Sequence, residues 1–260
     1  MKSLKDVRLF VLDLDGTFYL GERLIPGAID FIEKVKKSGR EFLFFTNNSS
    51  KSPKEYLEKF KRLGCPIDRL HIMTSGDVMI GYLKENHPGR SVYLLGTPAL
   101  KTSFAEGGIP LFEGSEGIPD IVVVGFDQTL TYEKLTKACT YIRNGSQFLS
   151  THMDINCPIE GGFIPDSGAI CAAITASTGA KPKYVGKPFK ETVDMIERST
   201  GFLAGEMAFV GDRIYTDVAT GVKNGSMGIL VLSGETKIED IPLSEVQPDF
   251  VFDSLKGIEI

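Results

Sequence analysis

Apolar residues fall along this chain in two alternating rhythms, short dense runs and longer stretches with helical spacing. Val7-Arg8-Leu9-Phe10-Val11-Leu12 is nearly all apolar and ends in acids, the signature of a strand covered on both faces. Ala28, Ile29, Ile32 and Val35 recur at helical spacing, and Gly39 follows Lys36 and Lys37 as a stop signal. Phe42-Leu43-Phe44-Phe45 then reads as a second strand. Ser52-Pro53-Lys54-Glu55 opens another helix with a capping box and a proline at the first helical position, Leu57, Phe60 and Leu63 form its apolar stripe, and Gly64 ends it. Residues 92–95, 121–124, 147–150, 207–210, 229–232 and 250–252 are further strand candidates, with helical patterns between most of them.

This alternation predicts an α/β protein with a mostly parallel sheet. Right-handed crossovers then collect the carboxyl ends of the strands on one edge, where such sheets bind ligands. Glycine- and proline-containing stretches around 74–76 and 180–188 are the expected domain boundaries. No internal repeat or low-complexity segment is visible.

Composition narrows the function classes. The chain has 260 residues, 42% of them hydrophobic and 24% charged, which excludes a disordered or fibrous chain and allows one large or two modest domains. Its 29 basic and 34 acidic residues give a formal net charge of -5, unsuited to binding a nucleic acid polymer through its phosphates. No apolar run approaches the roughly 20 residues that span a bilayer, and no secretory pattern precedes the first strand. Cys65, Cys139, Cys157 and Cys171 lack CxxC spacing and read as reduced thiols, so a cytoplasmic protein is expected, with no membrane partner. The sequons at Asn47, Asn48 and Asn144 then carry no glycosylation meaning. His71, His87 and His152 are too scattered to suggest a zinc centre.

Four polar clusters stand out. Asp13-Leu14-Asp15-Gly16-Thr17 follows the first strand, and alternation points both acids to one side. Gathering two carboxylates at a buried strand end is costly unless a cation or shared proton compensates, whereas an ordinary solvated Asp-Gly turn is the bland alternative. Thr46-Asn47-Asn48-Ser49-Ser50 follows the second strand and could bind an anion or merely extend a helix cap. Gly186-Lys187-Pro188 offers a lysine in a turn, for phosphate or for solvent. Gly211-Asp212-Arg213-Ile214-Tyr215-Thr216-Asp217 follows the 207–210 strand and adds two more acids. Acids from two strand ends could build an oxygen-rich Mg²⁺ site. Each cluster has a bland explanation, but their joint order is unusual.

In that order, Asp13-x-Asp15-Gly16-Thr17, Thr46-Asn47-Asn48, Gly186-Lys187-Pro188 and Gly211-Asp212-Arg213 with Asp217 resemble the four motifs of haloacid dehalogenase-superfamily phosphatases. The Thr-Asn-Asn form and the long segment before the lysine resemble the 4-nitrophenyl phosphatase or NagD-like branch, over nearly the whole chain. The resemblance implies a discontinuous Rossmann-like catalytic core, 1–75 and 182–260, with a smaller α/β cap inserted at 76–181 that selects substrate. It implies a Mg²⁺-dependent phosphatase that hydrolyses small phosphomonoesters, such as sugar phosphates or nucleotides, through an aspartyl-phosphate. Asp13 would be the nucleophile and Asp15 the acid and base. Asp13, Asp212 and the Asp15 carbonyl would hold the metal, Asp217 would orient waters or Lys187, and Thr46, Asn47 and Lys187 would hold phosphoryl oxygens.

Residues 151–158 and 161–169 look like the branch's cap specificity region, in which Asp154 and Asn156 are recognition candidates and turn formation is the alternative. His152 and Asp166 depart from the commoner asparagine and glycine there. A structural hydrogen bond at a strand end is the favoured reading of His152, ahead of substrate contact. Phosphoryl transfer to an alcohol, as in a phosphotransferase or mutase, and a non-catalytic phosphometabolite sensor are the alternative functions. The sensor is disfavoured because Asp13, Asp15 and Lys187 are all present, and an oxidoreductase because no GxGxxG follows a strand. Monomer and homodimer both remain open.

Overall fold

The computed structural model describes residues 2–114, 117–159 and 161–260. Its strands, in chain order, begin with β1 (Leu9–Leu12), β2 (Tyr19–Leu20), β3 (Arg23–Leu24), β4 (Glu41–Thr46) and β5 (Ile72–Thr74). They continue with β6 (Val92–Leu95), β7 (Ile121–Val124), β8 (Gln147–Ser150), β9 (Asn156–Ile159), β10 (Gly162–Pro165) and β11 (Lys183–Tyr184). The last three are β12 (Met207–Gly211), β13 (Met227–Val231) and β14 (Phe250–Phe252). Among them run α1 (Ala28–Lys37), α2 (Pro53–Arg62), α3 (Ser75–Asn86), α4 (Pro98–Glu106), α5 (Tyr132–Arg143), α6 (Ser167–Thr178), α7 (Lys190–Thr200) and α8 (Ala219–Lys223).

The chain forms two compact units: Met1–Thr46, Pro53–Met73 and Lys187–Ile260 make one, Asn47–Ser52 and Thr74–Gly186 the other. In the first, six strands run in the order β14-β13-β12-β1-β4-β5, a crossover sheet whose pairings from β14 through β4 are parallel. Burial on both faces explains the unbroken apolar runs of β1, β12 and β13. Phe18, Phe44 and Phe60 pack together in its core, with ring centroids 4.6 Å apart for Phe18–Phe44 and 4.5 Å for Phe44–Phe60. The Leu12↔Val210 register and the Asp13 N–H bond to the Val210 carbonyl (2.9 Å) bring the ends of β1 and β12 side by side.

The second unit has its own parallel sheet, β11-β8-β7-β6, and its own core around Val122, Val124, Ile170 and Ile174. The antiparallel hairpin β9–β10 stands apart from that sheet.

The α/β class and mostly parallel sheets are as expected from the sequence. The differences are the short elements. β1 starts at Leu9 because residues 4–6 form a 3₁₀ turn, and β13 spans 227–231 in place of 229–232. Strands β2, β3, β5, β9, β10 and β11 were not predicted: β2, β3 and β11 have two residues each, and β9–β10 is mostly half-buried or exposed, so it lacks the apolar pattern that marks a core strand. Among the described residues no helix is long and apolar enough to cross a membrane.

Because Phe44 is fully buried between two rings, Phe44→Ala should lower the first unit's stability by about 3–5 kcal/mol, read as an earlier urea transition.

Candidate active site

The site grows from the ends of two neighbouring strands. Asp13 is the residue after β1, and Asp212 the residue after β12. Asp217 lies on a π-helical turn (Ile214–Val218) that enters α8, a distortion common at functional sites. Carboxylate oxygens of Asp13, Asp212 and Asp217 come within 4.8 Å of one another.

Lys187 sits among them. Its Nζ donates to Asp13 Oδ1 and Asp217 Oδ1, both at 2.6 Å, and to the Phe45 carbonyl at 3.3 Å. The lysine side chain is 4% exposed, Asp217 3% and Asp13 14%, so these charges are largely removed from solvent. The other Asp217 oxygen accepts the Arg213 N–H at 3.0 Å. Asp212 accepts from the Glu235 N–H at 2.6 Å and from the Thr17 hydroxyl at 3.4 Å. The Lys187–Pro188 peptide is cis.

Glycines make the room. A Cβ on Gly16, whose φ is +89°, would stand 2.5 Å from Asp212 Oδ2, and one on Gly234 would stand 2.0 Å from that atom. At Gly211 it would meet Asp217 Cγ at 2.2 Å. All three distances are impossible contacts, so the acids are packed against bare backbone.

Electrostatics follow from this crowding. Burial raises the Asp13 pKa well above the ordinary carboxylate range, with Lys187 opposing and Asp217 and Asp212 adding to the rise. Burial, reinforced by Asp217, pushes Asp212 up to about 7 against the stabilising Glu235 N–H. For Lys187 burial acts downward, but the attraction of Asp13 and Asp217 outweighs it and the net direction is up. The donors are all hard oxygens, as a small divalent cation requires.

Asp15 is half-buried and its carboxylate is not one of the clustered three; its backbone forms a bridge with Tyr19, beside a Gly16 N–H bond to the Tyr19 carbonyl. Thr46 is buried at the end of β4. Asn47, the next residue, belongs to the second unit, where its amide faces both Asp154 oxygens at 3.3 Å. His152 is fully buried, with Nε2 2.8 Å from Asp166 Oδ1. Asn156 is exposed at the start of β9.

Sequence reasoning missed the 233–235 segment. Ser233 Oγ donates to the Gly16 carbonyl at 2.7 Å, Gly234 abuts Asp212, and the Glu235 carboxylate pairs with Arg213 at 2.8 Å. Its only signal was a Ser-Gly pair just after an apolar strand.

Adjacent strand ends of a parallel sheet deliver Asp13 and Asp212, and the loop before α7 brings in the buried Lys187. A profile described as haloacid dehalogenase-like hydrolase matches residues 10–110, and one described as HAD-hydrolase-like matches 184–258. An acid sugar phosphatase of Staphylococcus aureus is 37% identical over 254 residues, 97% of this chain and 96% of its own. The crystal structure of a 4-nitrophenylphosphatase from Thermotoga maritima superposes with a TM-score of 0.92 at 45% identity, covering 97% of this chain and 96% of that one. NagD from E. coli superposes with a TM-score of 0.89 at 27% identity, covering 100% and 99%. The chain belongs to the haloacid dehalogenase-like hydrolases, in the branch that holds the 4-nitrophenyl phosphatases and NagD.

The raised Asp212 pKa has a stability consequence. The folded chain binds that proton more tightly than the unfolded chain, whose value is near 3.8, so the contribution is fully present at low pH and lost as pH climbs toward about 7. In cation-free buffer, Asp212→Asn should therefore reduce the fall in thermal midpoint between about pH 4 and pH 7, measured by scanning calorimetry at each pH.

Proposed function

We propose that this chain is a Mg²⁺-dependent phosphatase of small phosphomonoesters, sugar phosphates among them, working through an aspartyl-phosphate on Asp13. The observation that carries the reading is Lys187 held at 2.6 Å from both Asp13 and Asp217 at the end of the central strand. A lysine so fixed opposes the repulsion between a carboxylate nucleophile and an anionic phosphate. The names of the relatives, acid sugar phosphatase and 4-nitrophenylphosphatase, support the same substrate class.

In this reading an Asp13 oxygen attacks phosphorus, forming one P–O bond as the bond to the leaving oxygen breaks. Asp15 gives that oxygen its proton, then takes one from the water whose attack releases phosphate and restores Asp13. Lys187, the Thr46 hydroxyl and the Asn47 amide hold phosphoryl oxygens while charge redistributes. Asp217 fixes the lysine. The cation would be held by Asp13, Asp212 and the Asp15 carbonyl, and when bound it neutralises charge between carboxylate and phosphate. The second unit is the substrate-selecting cap, with Asp154 and Asn156 as its recognition residues. The four free cysteines support a cytoplasmic setting.

The test is release of 4-nitrophenol with and without Mg²⁺. Wild type should turn over only with Mg²⁺, and Asp13→Asn should lose on the order of 10³-fold or more in kcat while still unfolding cooperatively. Equal turnover by Asp13→Asn would overturn the covalent mechanism. Lys187→Met should lower kcat and raise KM together, because it touches both the nucleophile's surroundings and the phosphate. Product analysis with an added alcohol separates hydrolysis from transfer, and free phosphate as the main product is expected.

A further inference from the structure

The second unit holds a chain of buried polar groups that the proposed reaction does not use. His152 is 0% exposed, and its ring nitrogens face different partners: Nε2 lies 2.8 Å from Asp166 Oδ1, and Nδ1 lies 2.9 Å from Thr151 Oγ1 and 3.4 Å from Ser75 Oγ. Thr151 Oγ1 is 3.0 Å from Ser49 Oγ, and Ser49 Oγ accepts the Phe126 N–H at 2.9 Å. At the other end Asp166 caps α6 and accepts the Ser167 N–H at 2.5 Å.

The hydrogens along this line can be placed by elimination. Asp166 accepts at Oδ1, so His152 Nε2 carries the hydrogen between them. A neutral imidazole then has a bare Nδ1, which accepts from the Thr151 hydroxyl. With its hydrogen engaged, Thr151 must accept from Ser49, whose remaining acceptor site takes the Phe126 N–H. Every member is satisfied in one direction, from Phe126 to Asp166. A hydrogen on Nδ1 would instead have to be accepted by the Thr151 oxygen, turning the Thr151 hydroxyl hydrogen away from the ring.

The two ends of the line secure what the proposed function needs. Ser49 lies in the loop that carries Asn47, and that loop has further anchors in the same unit: Ser75 Oγ donates to the Asn47 carbonyl at 2.5 Å, and Thr97 Oγ1 to the Ser50 carbonyl at 2.8 Å. Asp166 closes the turn that carries Asp154. Its N–H bonds the Ile155 carbonyl at 2.9 Å, and the Gly168 N–H bonds the Asp154 carbonyl at 2.8 Å. A Cβ on Gly168 would stand 2.2 Å from the Met153 carbonyl oxygen, so turn and helix are in tight contact.

We propose that His152 and Asp166 are positioning residues, a neutral Nε2–H imidazole paired with a carboxylate, that hold the Asn47 loop and the Asp154 turn in one geometry for binding the phosphomonoester. The proposal rests on the phosphatase reading for the role of Asn47. Misplacing a phosphate ligand weakens binding more than it slows the chemistry on Asp13. His152→Ala and Asp166→Ala should each raise KM for a sugar phosphate about tenfold with kcat changed less than about threefold, and the double variant should be no worse than either alone. Thr151→Val, which keeps the volume and the His152–Asp166 pair, should raise KM by a few-fold in a protein that still unfolds cooperatively; it keeps the test open if the alanine variants do not fold.

Wild-type KM in Thr151→Val, or additive effects confined to the thermal midpoint, would overturn the proposal. Wild-type turnover of 4-nitrophenyl phosphate is the control that isolates failure of the phosphatase reading. The hydrogen placement is tested without activity: long-range ¹H–¹⁵N spectra should show one buried histidine as the Nε2–H tautomer, absent in His152→Ala, and an Nδ1–H tautomer would overturn it.

Discussion

Three carboxylates within 4.8 Å of one another, largely shut off from water, cannot all be ionised around a single ammonium group at little cost. Two like charges about 4 Å apart repel by about 4 kcal/mol at the effective dielectric of a protein site. Lys187 relieves Asp13 and Asp217, the two acids it touches at 2.6 Å. Asp212 is left with an N–H, a hydroxyl and its neighbours' charge, and burial pushes its pKa up to about 7, as it also raises Asp13 against the pull of the lysine. One lysine among three acids leaves a formal deficit of two positive charges, which protons or a divalent cation can fill. The three acids are a donor set that could hold a divalent cation.

The fold's contribution is to make this crowding tolerable. Parallel strands β1 and β12 deliver Asp13 and Asp212 at adjacent ends, with backbone hydrogen bonding in register up to Asp13. Bare backbone at Gly16, Gly211 and Gly234 then lets the acids pack where any side chain would collide. Replacing any of the three would move the carboxylates apart and lose the reason for their placement.

Much of this was legible in the sequence because it is local. An acid directly after an apolar run must emerge at a strand end, so Asp13 and Asp212 announced themselves, and order along the chain did the rest. What was not legible depends on contacts between residues far apart in sequence. The Glu235 N–H reaches Asp212 across 23 positions, and nothing about a Ser-Gly pair foretells that. The β9–β10 hairpin escaped because its exposed strands carry no burial pattern. His152 and Asp166 each looked like an isolated oddity, 14 residues apart, until the fold joined them at 2.8 Å.

The least foreseeable result is the membership of residues 47–52. A stretch that directly follows the last strand residue of one unit takes its hydrogen bonds from the other, through Ser75, Thr97, Thr151 and Asp154. Buried polar groups go where their partners are, and an unsatisfied one costs about 1–3 kcal/mol, so four such bonds outweigh chain adjacency. The consequence reaches function. If Asn47 holds phosphate, its placement is governed by the same scaffold that presents Asp154, and changes deep in that scaffold can alter phosphate affinity without touching substrate. In the proposed reading, Asn47 and Asp154 belong to the second unit, while Asp13 and Lys187 belong to the first.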